Sequence, residues 1–248
     1  MIELLVVVSL IVLLIALLLP GLGAARETTR ELHCRSQLRQ LGMAMRLLSQ
    51  DHDGQLPGSS IGRWQGTEPW QKSWVGREAT IPGGYAPPHD GPLVTYLGGP
   101  TSAAAIYRCP SLKPAPLRSG LGSNGAFDYS MILSFGGAKT IHIPLEATYR
   151  YAVPALGEAD MPTPLIIEEN PAFHNNSISI EPGFGSIDLS GTHHISGASN
   201  YASIDGRVIQ LDTGQPVPPQ AWEWYAVAPS GIERRLNGSV DYGYWKDQ

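Results

Sequence analysis

Residues 1–23 read MIELLVVVSLIVLLIALLLPGLG, and they decide what the rest of the fold can be. From Ile2 to Leu19 only Glu3 and Ser9 are polar. As a helix this run spans roughly 27 Å, close to a bilayer core. A buried core helix is rarely this uniformly aliphatic. A cleaved secretory signal wants a positive start, whereas the only early side-chain charge here is the acid Glu3. Gly21-Leu22-Gly23-Ala24-Ala25 does offer the small residues of a cleavage site. An ordinary anchor has no use for Glu3, because a carboxylate in hydrocarbon is costly unless paired.

No side-chain cation precedes Arg26, which lies roughly 35 Å further along a helix. The nearest positive group is the α-amino group of Met1, or that of another copy of the chain. A carboxylate in the first helical turn also suits the helix dipole. Two such helices staggered by a few residues bring one Glu3 to the neighbour's terminal amine. The acid then sets register between identical subunits. Pro20 lacks a backbone donor and crowds the preceding turn. Gly21 and Gly23 weaken the helix by up to about 1 kcal/mol each, so a kink or melted stretch is expected over Leu17–Gly23.

Residues 2–27, IELLVVVSLIVLLIALLLPGLGAARE, resemble the N-terminal helix of the type IV pilin and type II secretion pseudopilin superfamily. Glu3 falls on the family's glutamate and Pro20 on its helix-kinking proline, and Ala24 to Glu27 continue the match. The family usually has an aromatic residue and Thr-Leu or Thr-Met before Ile-Glu; here Met1 directly precedes Ile2. The resemblance implies a precursor held in the inner membrane, processed by a prepilin peptidase and methylated at its new N-terminus. Assembly machinery of a pilus or secretion system then builds it into an extracellular helical homopolymer.

Beyond residue 23, Cys34, Leu38, Leu41, Met45 and Leu48 recur in steps of four and three, the stripe of an amphipathic helix. Arg35, Arg39 and Arg46 fall on another side, and Glu31 is ordered for an i,i+4 pair with Arg35. The helix should stop at Asp51-His52-Asp53-Gly54, with Pro57 beyond. Two heptads are too few for a coiled coil, so docking on a sheet of the same chain is favoured. Three segments are expected: a membrane or filament-core helix at 1–23, its amphipathic continuation at 24–54, and a β-rich head at 55–248. The fold class is α+β, a long N-terminal helix packed on a loop-rich antiparallel sheet.

Within the head, FDYSMILSF (127–135), ATYRYAV (147–153) and TPLIIEEN (163–170) read as strands. Cys109 stands in IYRCPSL (106–112), a strand or loop. In NYASIDGRVIQL (200–211), Asp205-Gly206 divides two alternating runs, the pattern of a tight hairpin. HHISGASNYASIDGRV is similar to the His…Asp-Gly element near the C-terminus of many prepilin-like proteins. His194, Gly197, Asn200, Asp205 and Gly206 match it with one extra residue between. Cys34 with Ser36 and Leu38 to Leu41, and the later Cys109-Pro110, also match that subgroup. If the head is exported, Cys34 and Cys109 can oxidise, stapling the helix to the head and closing a loop of about 75 residues, worth on the order of 4 kcal/mol.

Enzymatic chemistry has little support. His193-His194 with Asp188 and Asp205 can be drawn as a metal or general-base cluster, but no HExxH or nucleophile-elbow pattern accompanies them. A histidine packed against the hairpin and holding the turn is the simpler expectation. Gly120, Gly122 and Gly125 match GxGxxG without the strand-to-helix context of a dinucleotide site. No cofactor is expected, with one reservation. Asp188, Asp205 and Asp212 offer the hard oxygens of a structural Ca²⁺, as some pseudopilins have in a C-terminal loop.

The tryptophans group as Trp64, Trp70, Trp74 and Trp222, Trp224, Trp245. Burial is the simpler reading; surface exposure would suit glycan or protein contacts. Asn175 and Asn237 head glycosylation sequons. With a net charge of −5 and 16% charged residues, binding to nucleic acid through phosphate neutralisation is not expected. The leading expectation is therefore a pilus-like structural subunit. A secretion pseudopilin or minor pilin is the near alternative, and a membrane-anchored glycan-binding or hydrolytic protein is the distant one.

Overall fold

The computed structural model describes residues 2–59, 72–76, 91–112, 127–132, 135–150, 158–168, 183–184, 194, 196–211, 223–227 and 233–235. Its first element is α1 (Ile2–Asp51), a single helix with Pro20 inside it. At 1.5 Å per residue it is about 75 Å long. The melted stretch expected over Leu17–Gly23 is not seen. Proline's fixed φ is itself helical and its position loses one hydrogen bond, so the helix continues across it. The helix ends where Asp53 and Gly54 turn to positive φ, 52° and 82°, and the Gly54 amide donates back to the Ser49 carbonyl. This is the glycine-assisted stop that the sequence signals, closing three residues earlier than position 54.

The second helix, α2 (Pro100–Ile106), follows Gly98 and Gly99 and has proline in its first turn. It ends at Ile106, where the stretch 106–112, expected from the sequence to be strand or loop, begins. Among the described residues nine strands follow: β1 (Tyr129–Ile132), β2 (Glu146–Arg150), β3 (Glu158–Pro162), β4 (Pro164–Glu168), β5 (Gly183–Phe184), β6 (Ser199–Ser203), β7 (Val208–Leu211), β8 (Glu223–Val227) and β9 (Glu233–Arg235). They form two sheets, ordered β5-β1-β4-β6-β7 and β3-β2-β8-β9. Every pairing is antiparallel except β1 with β5, which is parallel. The α+β class and the antiparallel sheet expected from the sequence are both present, the short β1–β5 pair being the parallel exception.

The stripe read from the sequence is the docked face. Cys34, Leu38, Leu41, Met45 and Leu48 are all fully buried, and α1 lies on β4, β6 and β7 with an edge against α2. Gly42 permits the close approach. A Cβ there would stand 3.3 Å from the Ala202 Cβ on β6. The same core takes in Phe127, Tyr129, Met131, Ile166, Ile167 and Tyr201 from the sheet. Trp74 is buried too, edge-on to Tyr107 with ring centroids 5.2 Å apart, so burial is the correct reading for this tryptophan. Trp64, Trp70, Trp222 and Trp245 lie outside the described residues; Trp224 falls on β8.

The other half of α1 is not buried against any described part of the head. Among the described residues, fifteen large apolar side chains from Ile2 to Leu22 are exposed, Ile2 by 80% and Leu5 by 72%. By length and composition this is a helix that can cross a membrane.

Candidate functional site

Two features of the chain concentrate its chemistry: the bare N-terminal half of α1, and a buried polar node where the other half meets the head. Glu3 stands in the first turn of α1 and is exposed; Met1, its expected partner type, lies outside the described residues. Pro20, Gly21 and Gly23 sit within the helix, and a Cβ on either glycine would meet nothing within 4 Å.

The polar node begins with the disulfide. Cys34 on α1 is bonded to Cys109, just past α2, with Cα atoms 5.2 Å apart. Asp128 fixes the Cys109 side of the bridge. Its Oδ2 accepts the Cys109 amide at 2.8 Å and Arg108 Nε at 2.9 Å. Burial raises the Asp128 pKa above its ordinary value, against the opposing pull of Arg108 and the Cys109 amide. On the helix, Gln37 links three elements: its Nε2 donates to the Ala105 carbonyl at 2.9 Å, and its Oε1 accepts from Tyr129 OH at 2.8 Å.

Glu168, the last residue of β4, completes the node. It is fully buried. One oxygen, Oε1, lies 2.9 Å from His194 Nε2. The other accepts the backbone amide of Asn200 at 2.8 Å and its Nδ2 at 3.0 Å. Burial would lower the His194 pKa, but the hydrogen bond and charge of Glu168, with Glu31 and Glu27 adding to them, raise it instead. A buried acid is tolerated here because each oxygen has a donor. His194 and Asn200, hairpin residues in the sequence reading, are thus brought together by Glu168, which nothing in the sequence singles out. His194 is buried and lies at hydrogen-bond distance from Glu168 at the end of β4.

Glu31 also departs from expectation. It faces the head, accepting from Ser196 Oγ at 2.8 Å and Gln210 Nε2 at 2.7 Å, instead of pairing with Arg35.

The hairpin is present. β6 and β7 pair through Ala202–Val208, and Gly206 takes φ 88°. Among the described residues around the turn only Gly206 has positive φ, so the connection is the three-residue kind ending in a left-handed glycine. Asp205 braces it, accepting from Ser203 Oγ and from Arg207 Nε at 2.6 Å. Those donors occupy the oxygens proposed for calcium. Asp188 and Asp212, the other calcium candidates, lie outside the described residues, as do His193, Gly120, Gly122, Gly125, Asn175 and Asn237.

Comparison with protein-family models, curated proteins and solved structures finds no match. A long apolar N-terminal helix, followed by a β-sheet domain and tied to it by a disulfide, is compatible with a pilin-like fold.

Proposed function

We propose that this protein is a structural subunit of an extracellular type IV pilus-like filament. The observation that carries the proposal is the division of α1. Its C-terminal half is fully committed to the head, by a buried stripe and a disulfide, while its N-terminal half presents fifteen exposed apolar side chains in one unbroken helix. Hiding those side chains from water is worth on the order of 20 kcal/mol, taking the low end of the usual gain per side chain. That exceeds the stability of a typical domain, so the rod needs a second environment. A lipid bilayer serves before assembly and the helices of sister subunits serve afterwards.

In this account Glu3 answers the terminal amine of a neighbour and sets the stagger between rods. A heterologous contact of this type, repeated without closing a ring, yields an open helical polymer. Inner-membrane assembly machinery and a prepilin peptidase are the other partners, and no catalytic role or nucleic-acid contact is assigned. A pseudopilin or minor pilin would share the same rod in a shorter assembly.

The test is cryo-microscopy of fibres sheared from cells making the protein. Fibres built from this chain, with α1 at their centre, are the expected result. Glu3→Ala should cut fibre yield at least tenfold; unchanged yield removes the register role. A protein that stays dispersed as single copies in the bilayer removes the filament reading altogether.

A further inference from the structure

The node contains more ligating chemistry than a staple needs. Cys34, Cys109, Glu168 and His194 each present a ligand atom, those atoms lie within 4.8 Å of one another, and all four residues are buried. A tetrahedral zinc site with Zn–S near 2.3 Å and Zn–N or Zn–O near 2.0–2.2 Å has neighbouring ligand atoms about 3.3–3.8 Å apart. In the oxidised chain the two sulfurs are bonded to each other, and on reduction they need only part to that spacing for the node to reach the required size. We propose that, when Cys34 and Cys109 are reduced, this cluster is a structural zinc site with a two-sulfur, one-nitrogen, one-oxygen ligand set.

Three features argue for a built site over a chance gathering. Each ligand comes from a different part of the fold: α1, the turn after α2, the end of β4 and the segment leading into β6. The supports around them are already engaged. Asp128 holds the Cys109 amide, and Asn200 holds Glu168 Oε2 with two donors, leaving Oε1 turned toward His194. Such outer contacts fix ligand orientation before the metal arrives. Finally, two thiolates and a carboxylate cannot all stay ionised together in a buried pocket, and a divalent cation offsets that charge. Softness favours zinc over calcium or magnesium, because sulfur supplies half of the ligands.

The chemistry balances simply. A dithiol reductant gives two electrons and two protons to the Cys34–Cys109 bond, which breaks to two thiols while the reductant becomes a disulfide. Zinc then binds both sulfurs as thiolates, Glu168 as carboxylate and His194 as neutral imidazole. The two thiol protons pass to solvent, and the imidazolium proton follows them where the ring is charged. A small-molecule disulfide reverses the exchange: it takes two electrons from the thiolates and two protons from solvent to become two thiols, the Cys34–Cys109 bond reforms, and the metal leaves. The junction between helix and head is then closed in either redox state, by a covalent bond or by an ion.

The experiment uses the full chain in detergent, folded with a phosphine reductant and titrated with Co²⁺ as the spectroscopic stand-in for zinc. The expected result is one Co²⁺ per chain. It should show the visible bands of a tetrahedral ion and sulfur-to-cobalt charge transfer, lost on adding Zn²⁺ and absent from the oxidised chain. His194→Ala and Glu168→Gln should each weaken binding at least tenfold. Absence of stoichiometric cobalt binding, or a spectrum and affinity unchanged in both variants, overturns the proposal. A second readout needs no variant: zinc should slow alkylation of Cys34 and Cys109 in the reduced wild-type chain at least tenfold, and an unchanged rate overturns it equally.

Discussion

The two halves of α1 share a backbone and differ in nearly everything else. From Ile2 to Leu22 apolar residues occupy every face and are exposed. From Glu31 to Asp51 the stripe of Cys34, Leu38, Leu41, Met45 and Leu48 is buried, while Leu32, Arg39, Met43, Arg46 and Leu47 on the other faces are exposed. The difference is one of pattern more than of content. A helix apolar on one side can be satisfied by a sheet of its own chain, whereas one apolar all round can be satisfied only by a solvent of its own kind. Gly23 to Arg30 marks the change, with Thr28 and Thr29 hydroxyls turned back to carbonyls four residues earlier and a Glu27–Arg30 ion pair on the surface.

That contrast can be broken or sharpened by substitution. The largest effect should come from cutting the staple. Cys34→Ser, in metal-free oxidising buffer, should lower head stability by about 4 kcal/mol on denaturant unfolding, and Cys109→Ser should match it because both remove one bond. Next, Leu41→Ala in the docked half should cost about 2–5 kcal/mol, by lost burial and the cavity left behind. Leu13→Ala in the bare half should leave the same unfolding midpoint within about 0.5 kcal/mol, since Leu13 is 58% exposed. Equal effects at Leu13 and Leu41 would erase the distinction between the halves. Gly42→Leu should cost about 1–3 kcal/mol by driving α1 off Ala202 and β6; a neutral result would show that the close approach is dispensable.

The smallest effect belongs to the hairpin. Burial pushes the Asp205 pKa up, but the hydrogen bonds from Arg207 and Ser203 outweigh it and leave the pKa below the ordinary carboxylate range. A depressed carboxylate pKa adds stability above its unfolded value and loses it as the pH falls through the folded value. Asp205→Asn should therefore abolish a small acid-side loss of stability. The total should stay well under about 1 kcal/mol, because Arg207 is largely exposed and solvent screens the pair.

Much of this was legible in the sequence because it depends on local periodicity. The docked stripe, the stop at Gly54, the strands around Ile132 and Ile167, and the Asp205-Gly206 turn each follow from neighbours within a few residues. The cysteine pair was legible only through the inferred export of the chain. Glu168 was not legible. An acid ending an apolar strand looks the same whether it meets water or a buried imidazole, and its partners His194 and Asn200 lie 26 and 32 residues away. The split into two sheets was hidden for the same reason. Pairings such as Thr148 with Tyr225 join distant segments whose compositions do not announce each other. The helix α2 did carry a signal, proline after two glycines and then a run of alanines, but at seven residues it is easily lost among turns.

The Cys34–Cys109 bridge also determines how the molecule answers tension. A pull entering through the N-terminal end of α1 and leaving beyond Cys109 crosses the bridge instead of the chain between those residues, which are 75 apart in sequence. Drawn straight, that loop would supply roughly 250 Å of slack. With the bridge closed none of it can be paid out, and the lower part of α1 cannot be peeled from its sheet by a load on its upper end. Under such a load the segment from Cys34 to Cys109 keeps its length until a covalent bond gives way.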